Sequence, residues 1–151
     1  MNPLITNEVL GTLAFQATLA CLPNRQLDLT KALLILPLLY NKRIRGILKN
    51  KKVVHLGSRD LVLSFPKDFA AVNNHYLDMS TTSLNTILLA CEMGITTLNA
   101  NTLFLSAEIF TSTCSKSIGQ LGSEIFIAAP RLAKILEESA EELYQNFRIV
   151  L

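Results

Sequence analysis

The sequence has few of the residues on which common catalytic and metal sites depend. Among 151 residues there are no tryptophans, two histidines, three cysteines and six glycines. The cysteines are odd in number and far apart, which argues against a disulfide framework and a CxxC pair and favours a reducing compartment. Neither histidine has metal-ligand spacing to a cysteine. We therefore expect a cytoplasmic protein without metal or cofactor. The three cysteines are Cys21, Cys91 and Cys114, and the two histidines are His55 and His75.

Long apolar runs are also missing. The densest, residues 32–40, contains nine residues, whereas a membrane-spanning helix needs about 20. Residues 10–22 superficially resemble a signal sequence, but no Lys or Arg precedes Arg25, and Glu8 stands where positive charge is required. We expect neither a membrane span nor secretion.

Catalytic motifs are absent as well. No GxxxxGK[ST] phosphate loop occurs, and the glycine pair at residues 119–122 is too short to count as one. Four glutamates near the C-terminus lie close together at a helix junction. Because acidic residues in the first turn stabilise a helix, we interpret these four as surface residues. With no convergent polar set, we expect a protein that is not an enzyme. The glutamates are Glu137, Glu138, Glu141 and Glu142.

Charged residues make up only 17% of the chain, against about 25% in a typical globular protein. Half of the residues are apolar, and the mean hydropathy is +0.34. Part of the surface should therefore be apolar, and apolar surface usually contacts a partner. Composition favours a subunit of a larger assembly.

Apolar periodicity predicts one compact, mainly α-helical domain over residues 1–151 with a small β-hairpin, an α+β fold. Its helical N-terminal part, residues 6–50, starts at a cap formed by Thr6 or Asn7. Pro37 stops or kinks the second helix, and Asn41 starts another. Residues 49–60 form a break, and two short strands or an ordered loop both fit the pattern through residue 63.

A helix–helix–hairpin segment is predicted over residues 64–105. Ser64 caps one helix, and Ser80 or Thr81 caps the next. Gly94 ends the second helix in the left-handed conformation, and a hairpin follows whose turn asparagines tolerate positive φ. A helix followed by a hairpin indicates a winged-helix-like element. C-terminal helices follow over residues 123–148, with one face formed by Ile125, Ala128, Ala129, Leu132, Ile135 and Leu136, a bend at Pro130 and a cap at Ser139.

Basic residues are concentrated in one part of the chain. Residues 25–67 hold ten of the fourteen, with only two acidic residues. Six of them within eleven positions predict a contact with nucleic-acid phosphate or with an acidic partner. The alternative is a solvated helix end, because a helix C-terminus also favours cations. The six are Lys42, Arg43, Arg45, Lys49, Lys51 and Lys52.

Residues 33–45, LLILPLLYNKRIR, carry an LxLPL helix followed by Lys and Arg. Here the sequence resembles the middle component of bacterial three-component ABC systems. Similar features follow in the same order: Asn-Pro near the start, Phe-x-x-x-Asn-x-x-Tyr at residues 69–76, SLNTILL at 83–89, and AAPRLAK at 128–134 before Glu-Leu-Tyr. The sequence departs from the family at residues 132–135, where many members have Leu-Gly-x-Trp, which places it in a divergent branch.

The resemblance implies a non-catalytic adaptor subunit of a Lamassu-type defence complex against phages or plasmids. Its implied partners are an SMC- or Rad50-like ABC ATPase and an effector protein such as a nuclease, with DNA reached through the complex. Eight apolar residues then become candidates for either the partner interface or the core: Leu33, Leu36, Pro37, Leu38, Leu132, Ile135, Leu143 and Phe147.

A second hypothesis is a winged-helix DNA-binding module whose recognition helix covers residues 81–93. That segment contains no Lys or Arg and includes Glu92, although base and phosphate contacts need donors. Winged folds also serve as protein-binding platforms, so charge is the feature that separates the two hypotheses.

Overall fold

The computed structural model describes residues 3–54, 57–111 and 119–150, and the predicted α+β class is confirmed. Three short strands are β1 (Gln26–Asp28), β2 (Thr96–Asn99) and β3 (Thr102–Leu105). The helices, in chain order, are α1 (Pro3–Ala20), α2 (Leu29–Ala32), α3 (Ile35–Leu39), α4 (Lys42–Lys49), α5 (Ser58–Ser64), α6 (Pro66–Phe69), α7 (Val72–Glu92), α8 (Gln120–Ile135) and α9 (Ala140–Asn146). Within the described ranges, no helix combines the length and the apolarity needed to cross a bilayer.

Helix α1 forms the centre of the core. Residues 10–19 are buried without exception, and the helix packs against α3, α7 and α8. The helix begins at Pro3, so the predicted cap at Thr6 or Asn7 was wrong, and both residues lie within its first turns. Burial on every side, rather than on one face, follows from its nearly continuous small and apolar sequence.

A buried amide in α1 holds the segment that follows the hairpin. Gln16 Nε2 donates to the carbonyl oxygen of Phe110 at 2.7 Å, and Gln16 Oε1 accepts from the amides of Ile109 and Phe110 at 2.9 Å each. The side chain therefore satisfies backbone groups that have no strand partner there. Burial of this glutamine costs little because its hydrogen-bonding groups are used.

The apolar segment after β1 is divided into α2 and α3 at residues 33–34, because Pro37 has no amide hydrogen to donate to the carbonyl oxygen of Leu33, four residues earlier. The predicted second helix therefore ends at Ala32, before Pro37. Pro37 lies within α3, all five residues of which are buried. A new helix, α4, starts directly afterwards, as predicted. The Asn41 side chain caps it by accepting from the amides of Arg43 and Ile44 at 3.0 and 3.2 Å.

Predictions for residues 58–92 were partly wrong. The residues predicted to form a short strand or loop at 61–63 belong to α5, and Ser64 ends that helix instead of capping the next. Ser80 and Thr81 lie within α7, which runs unbroken for 21 residues. The Ser80 hydroxyl donates to the carbonyl oxygen of Leu77 at 3.1 Å, so it is satisfied inside the helix and does not end it.

The predicted hairpin is present, and a third strand extends it. Gly94 has φ of 79° as expected, but the positive φ in the turn, 55°, belongs to Ala100 and not to an asparagine. Strand β1 pairs antiparallel with β3, with Leu27 opposite Leu103, which gives the order β1-β3-β2. Helix α7 leads directly into this small sheet, so a helix precedes a hairpin as predicted.

The C-terminal helices keep their predicted buried face from Ile125 to Leu136. Helix α8 begins at Gln120, three residues before the predicted start of the C-terminal helices, and contains Pro130. Residues 112–118, which precede it, lie outside the described residues. Ser139 caps α9 as predicted, because its Oγ accepts from the Glu142 amide at 3.2 Å.

Candidate interaction surfaces

The apolar residues predicted as partner interface or core lie almost entirely in the core. Leu33 differs, because it is half-buried at the edge of a shallow depression that also includes Tyr76 and Tyr144. The other seven candidates are buried, so any exposed apolar interface must be formed by other side chains. The buried members are Leu36, Pro37, Leu38, Leu132, Ile135, Leu143 and Phe147.

The six predicted basic residues separate into an inner and an outer group. Arg45 is only 7% exposed, and it donates from Nη1 to the carbonyl oxygen of Leu39 at 2.9 Å. Its Nε lies 3.3 Å from Glu124 Oε1 on α8, and Lys49 Nζ is also 3.3 Å from that oxygen. Arg45 and Lys49 thus face α8, because positions four apart share one face of a helix.

Burial and ion pairing act in opposite directions on Glu124. Burial alone would raise the pKa of its carboxyl, but hydrogen bonds from Lys49 and Arg45, together with their positive charges, outweigh it and lower the pKa. The carboxylate therefore stays ionised and holds both cations at the junction of α4 and α8.

The outer group lies in solvent. Lys42, Lys51 and Lys52, here called the basic surface, are exposed. Arg43 is exposed as well, and its guanidinium lies 3.5 Å from Asp68 in a pair too solvated to contribute much. Near the same turn, Arg131 of α8 donates to the carbonyl oxygen of Asn50.

Glu138, interpreted from sequence as a surface residue, is a structural acceptor. It accepts from the Ser58 amide at 2.9 Å and from the Ser58 hydroxyl at 2.7 Å. Asn146 Nδ2 donates to the same hydroxyl oxygen at 2.8 Å. The side chain therefore caps α5 from a distant part of the chain, a role that no local sequence pattern could have indicated.

A second surface, which was not predicted from the sequence, lies on α7. Leu77, Leu84 and Leu88, here called the leucine row, are 51%, 47% and 58% exposed. The side of α7 that faces the core includes the buried residues Ser83, Thr86 and Ala90. The spacing of seven and four residues was the available signal in the sequence.

The described residues include no group of three or more His, Cys, Asp or Glu that could hold a metal ion. Cys21 is exposed, and Cys91 is half-buried with its Sγ 3.3 Å from Thr96 Oγ1. His55 and Cys114 lie outside the described residues.

Comparison with known families gives one result. The family described as ABC-three component (ABC-3C) system Middle Component 3 has a model that matches residues 1–151. No curated protein and no solved structure is similar enough to the chain to count as a match. The family match therefore covers the whole chain.

Proposed function

Because the chain belongs to the Middle Component 3 family of ABC-three component systems, we propose that it is a non-catalytic adaptor subunit. In this role it joins an SMC- or Rad50-like ABC ATPase to an effector protein in a Lamassu-type defence against phages or plasmids. The assembly is cytoplasmic, and the effector carries the destructive activity.

The leucine row is the observation that carries this proposal. Each of its three leucines leaves about half of its surface in water, although the core beneath α7 is already filled by other side chains. Full burial of a leucine side chain contributes about 1.5–3 kcal/mol. A complex in which a partner covers the row is therefore stabilised by apolar burial that the single chain lacks. An apolar row of this kind is typical of a subunit interface.

The test is co-expression with the ATPase and the effector encoded beside this gene. Affinity purification through a tag on this chain should recover both proteins, and all three should co-elute in gel filtration. Purification through a tag on the ATPase should recover the effector only when this chain is present. Retention of the effector without this chain would contradict the bridging role. A monodisperse chain that retains neither protein would contradict the adaptor role altogether.

The basic surface favours a second candidate function, contact with DNA in the assembled complex. Among the described residues, Lys42, Lys51 and Lys52 form no salt bridge, whereas Arg45 and Lys49 are held by Glu124. Helix α7 is a poor alternative for DNA, since its exposed side presents Leu84, Leu88 and Glu92 and its sequence contains no Lys or Arg.

The variant that tests this function is Lys51→Glu with Lys52→Glu. The complex should lose affinity for duplex DNA, and its dependence on salt should become shallower by about one unit of slope for each phosphate contact removed. Lys134→Glu, an exposed reversal on α8, is the matched control. Lys49 is left intact, because a glutamate there would face Glu124. Unchanged DNA retention would reject the contact.

A further inference from the structure

We infer that the leucine row is the docking surface for an amphipathic helix with basic flanks, contributed by another subunit of the assembly. This inference rests on the proposed adaptor function and adds which face of the chain is used and what chemistry the partner helix must have.

The row has the geometry of one strand of a coiled coil. Leu77 and Leu84 are seven residues apart, and Leu88 is four residues further. At 100° per residue the three lie within about 40° of one another, over about 16 Å of helix axis. Thr81 completes a 4-3-4 spacing and is exposed as well. This spacing lets side chains of a second helix insert between turns of the first.

The row also differs from the other exposed apolar residues of the chain. Met93 follows the end of α7, and the remaining ones lie on six different segments: Val54, Leu63, Leu98, Ile109, Ile127 and Val150. Isolated exposed apolar residues are ordinary in soluble proteins, whereas three on one helical face indicate an interface.

The acidic residues beside the leucine row indicate the charge that the partner helix should carry. Asp78 and Glu92 are exposed on α7, and residues 68–115 contain no Lys or Arg at all. Flanking charges of opposite sign stabilise helix pairs and determine partner choice. The helix that covers the row should therefore place leucines or similar residues against it and Lys or Arg beside Asp78 and Glu92.

The same charges disfavour a second copy of this chain as the occupant. Two α7 helices paired through their leucine rows would bring four carboxylates into one interface, with no basic residue from either helix to offset them. Like charges in such positions weaken pairing and help to exclude the wrong partner.

The experiment uses the complex of this chain with the neighbouring ATPase and effector. Leu84→Glu with Leu88→Glu should reduce retention of one partner by at least about tenfold, while the matched exposed change Ile127→Glu should stay within about twofold. The charge variant Asp78→Lys with Glu92→Lys should also reduce retention. Because all these positions are exposed, the melting temperature of each variant should match the wild type.

A photo-crosslinking residue placed at position 84 identifies the occupant. We expect a crosslink to a partner segment with heptad-spaced apolar residues and flanking Lys or Arg. Crosslinks to a second copy of this chain or to DNA would overturn the inference. It would also be overturned if the wild-type complex forms and the leucine variants retain both partners normally, an outcome that leaves the adaptor function intact. Failure of the wild-type chain to retain any partner would instead contradict the adaptor function.

Discussion

The Arg45 guanidinium and the Glu124 carboxylate meet at 3.3 Å, across the packed faces of α4 and α8. The pair is mostly enclosed, since the Arg45 side chain is 9% exposed and that of Glu124 is 16% exposed. Arg45 also donates to the carbonyl oxygen of Leu39 at 2.9 Å, which ties the end of α3 into the same cluster. One guanidinium therefore links α3, α4 and α8, and its removal should weaken the packing of all three helices.

Arg45→Ala should lower the free energy of unfolding by about 3 kcal/mol. The change removes one cation from a mostly buried carboxylate and leaves the Leu39 carbonyl oxygen without its donor. Urea unfolding monitored by circular dichroism measures the effect. Lys49→Ala is the matched control, because Lys49 pairs with the same carboxylate but is 37% exposed and should cost at most about 1 kcal/mol. Equal losses from the two variants would contradict the role given to Arg45.

Glu124 predicts acid sensitivity of the fold. Burial would raise the pKa of its carboxyl, but hydrogen bonds and charge from Lys49 and Arg45 lower it below the ordinary value of 4.5. A group whose pKa is lowered in the folded state stabilises that state above its unfolded pKa. This contribution declines as the pH falls from about 4.5 and is gone once the pH is below the folded pKa.

Unfolding free energies of the wild type and Glu124→Gln, measured between pH 7 and pH 2.5, test this. The glutamine variant should be less stable at pH 7, and the difference between the two proteins should narrow as the pH falls below about 4.5. A difference that stays constant with pH would show that Glu124 contributes through packing alone.

Local sequence signals predicted those parts of the fold that local chemistry controls. The buried face from Ile125 to Leu136, the left-handed Gly94 and the caps at Asn41 and Ser139 each follow from a periodicity or a single side chain. Strand β1 has only three residues, too few for an alternating pattern to indicate it. Ser80 resembled a cap, but its hydroxyl bonds within the helix, and α7 continues.

The interaction surfaces were less predictable, because tertiary pairing decides which charges are free. Nothing near Arg45 in sequence distinguishes it from Lys51, and its partner Glu124 is 79 residues away. Likewise, periodicity shows that Leu84, Ile87 and Leu88 lie on one side of α7, but only the packing of α1 and α3 against that helix decides which of them remain exposed.

Glu138→Ala should destabilise the protein by about 2 kcal/mol, because it removes two hydrogen bonds to a charged acceptor from the buried residue Ser58. Thermal unfolding followed by circular dichroism measures the loss. The neighbouring change Glu137→Ala, at an exposed position, should alter stability by less than about 0.5 kcal/mol. If both alanine variants melt like the wild type, Glu138 is not the cap of α5.

The close approach of α1 to α7 makes Gly11 intolerant of a side chain. A Cβ at position 11 would lie 2.5 Å from Cγ2 of Thr86 and 3.2 Å from the hydroxyl oxygen of Tyr40. Gly11→Ala should therefore destabilise the fold by about 1–2 kcal/mol, although alanine is intrinsically the better helix former by about 1 kcal/mol.

Thr86→Ser removes the obstructing methyl group and keeps the hydroxyl that donates to the carbonyl oxygen of Thr82 at 2.7 Å. In that background, Gly11→Ala should cost less than about 0.5 kcal/mol or even stabilise the protein, so the two changes should be strongly coupled. A double-mutant cycle by urea unfolding measures the coupling. If Gly11→Ala costs the same in both backgrounds, the contact with Thr86 is not what makes glycine necessary between these helices.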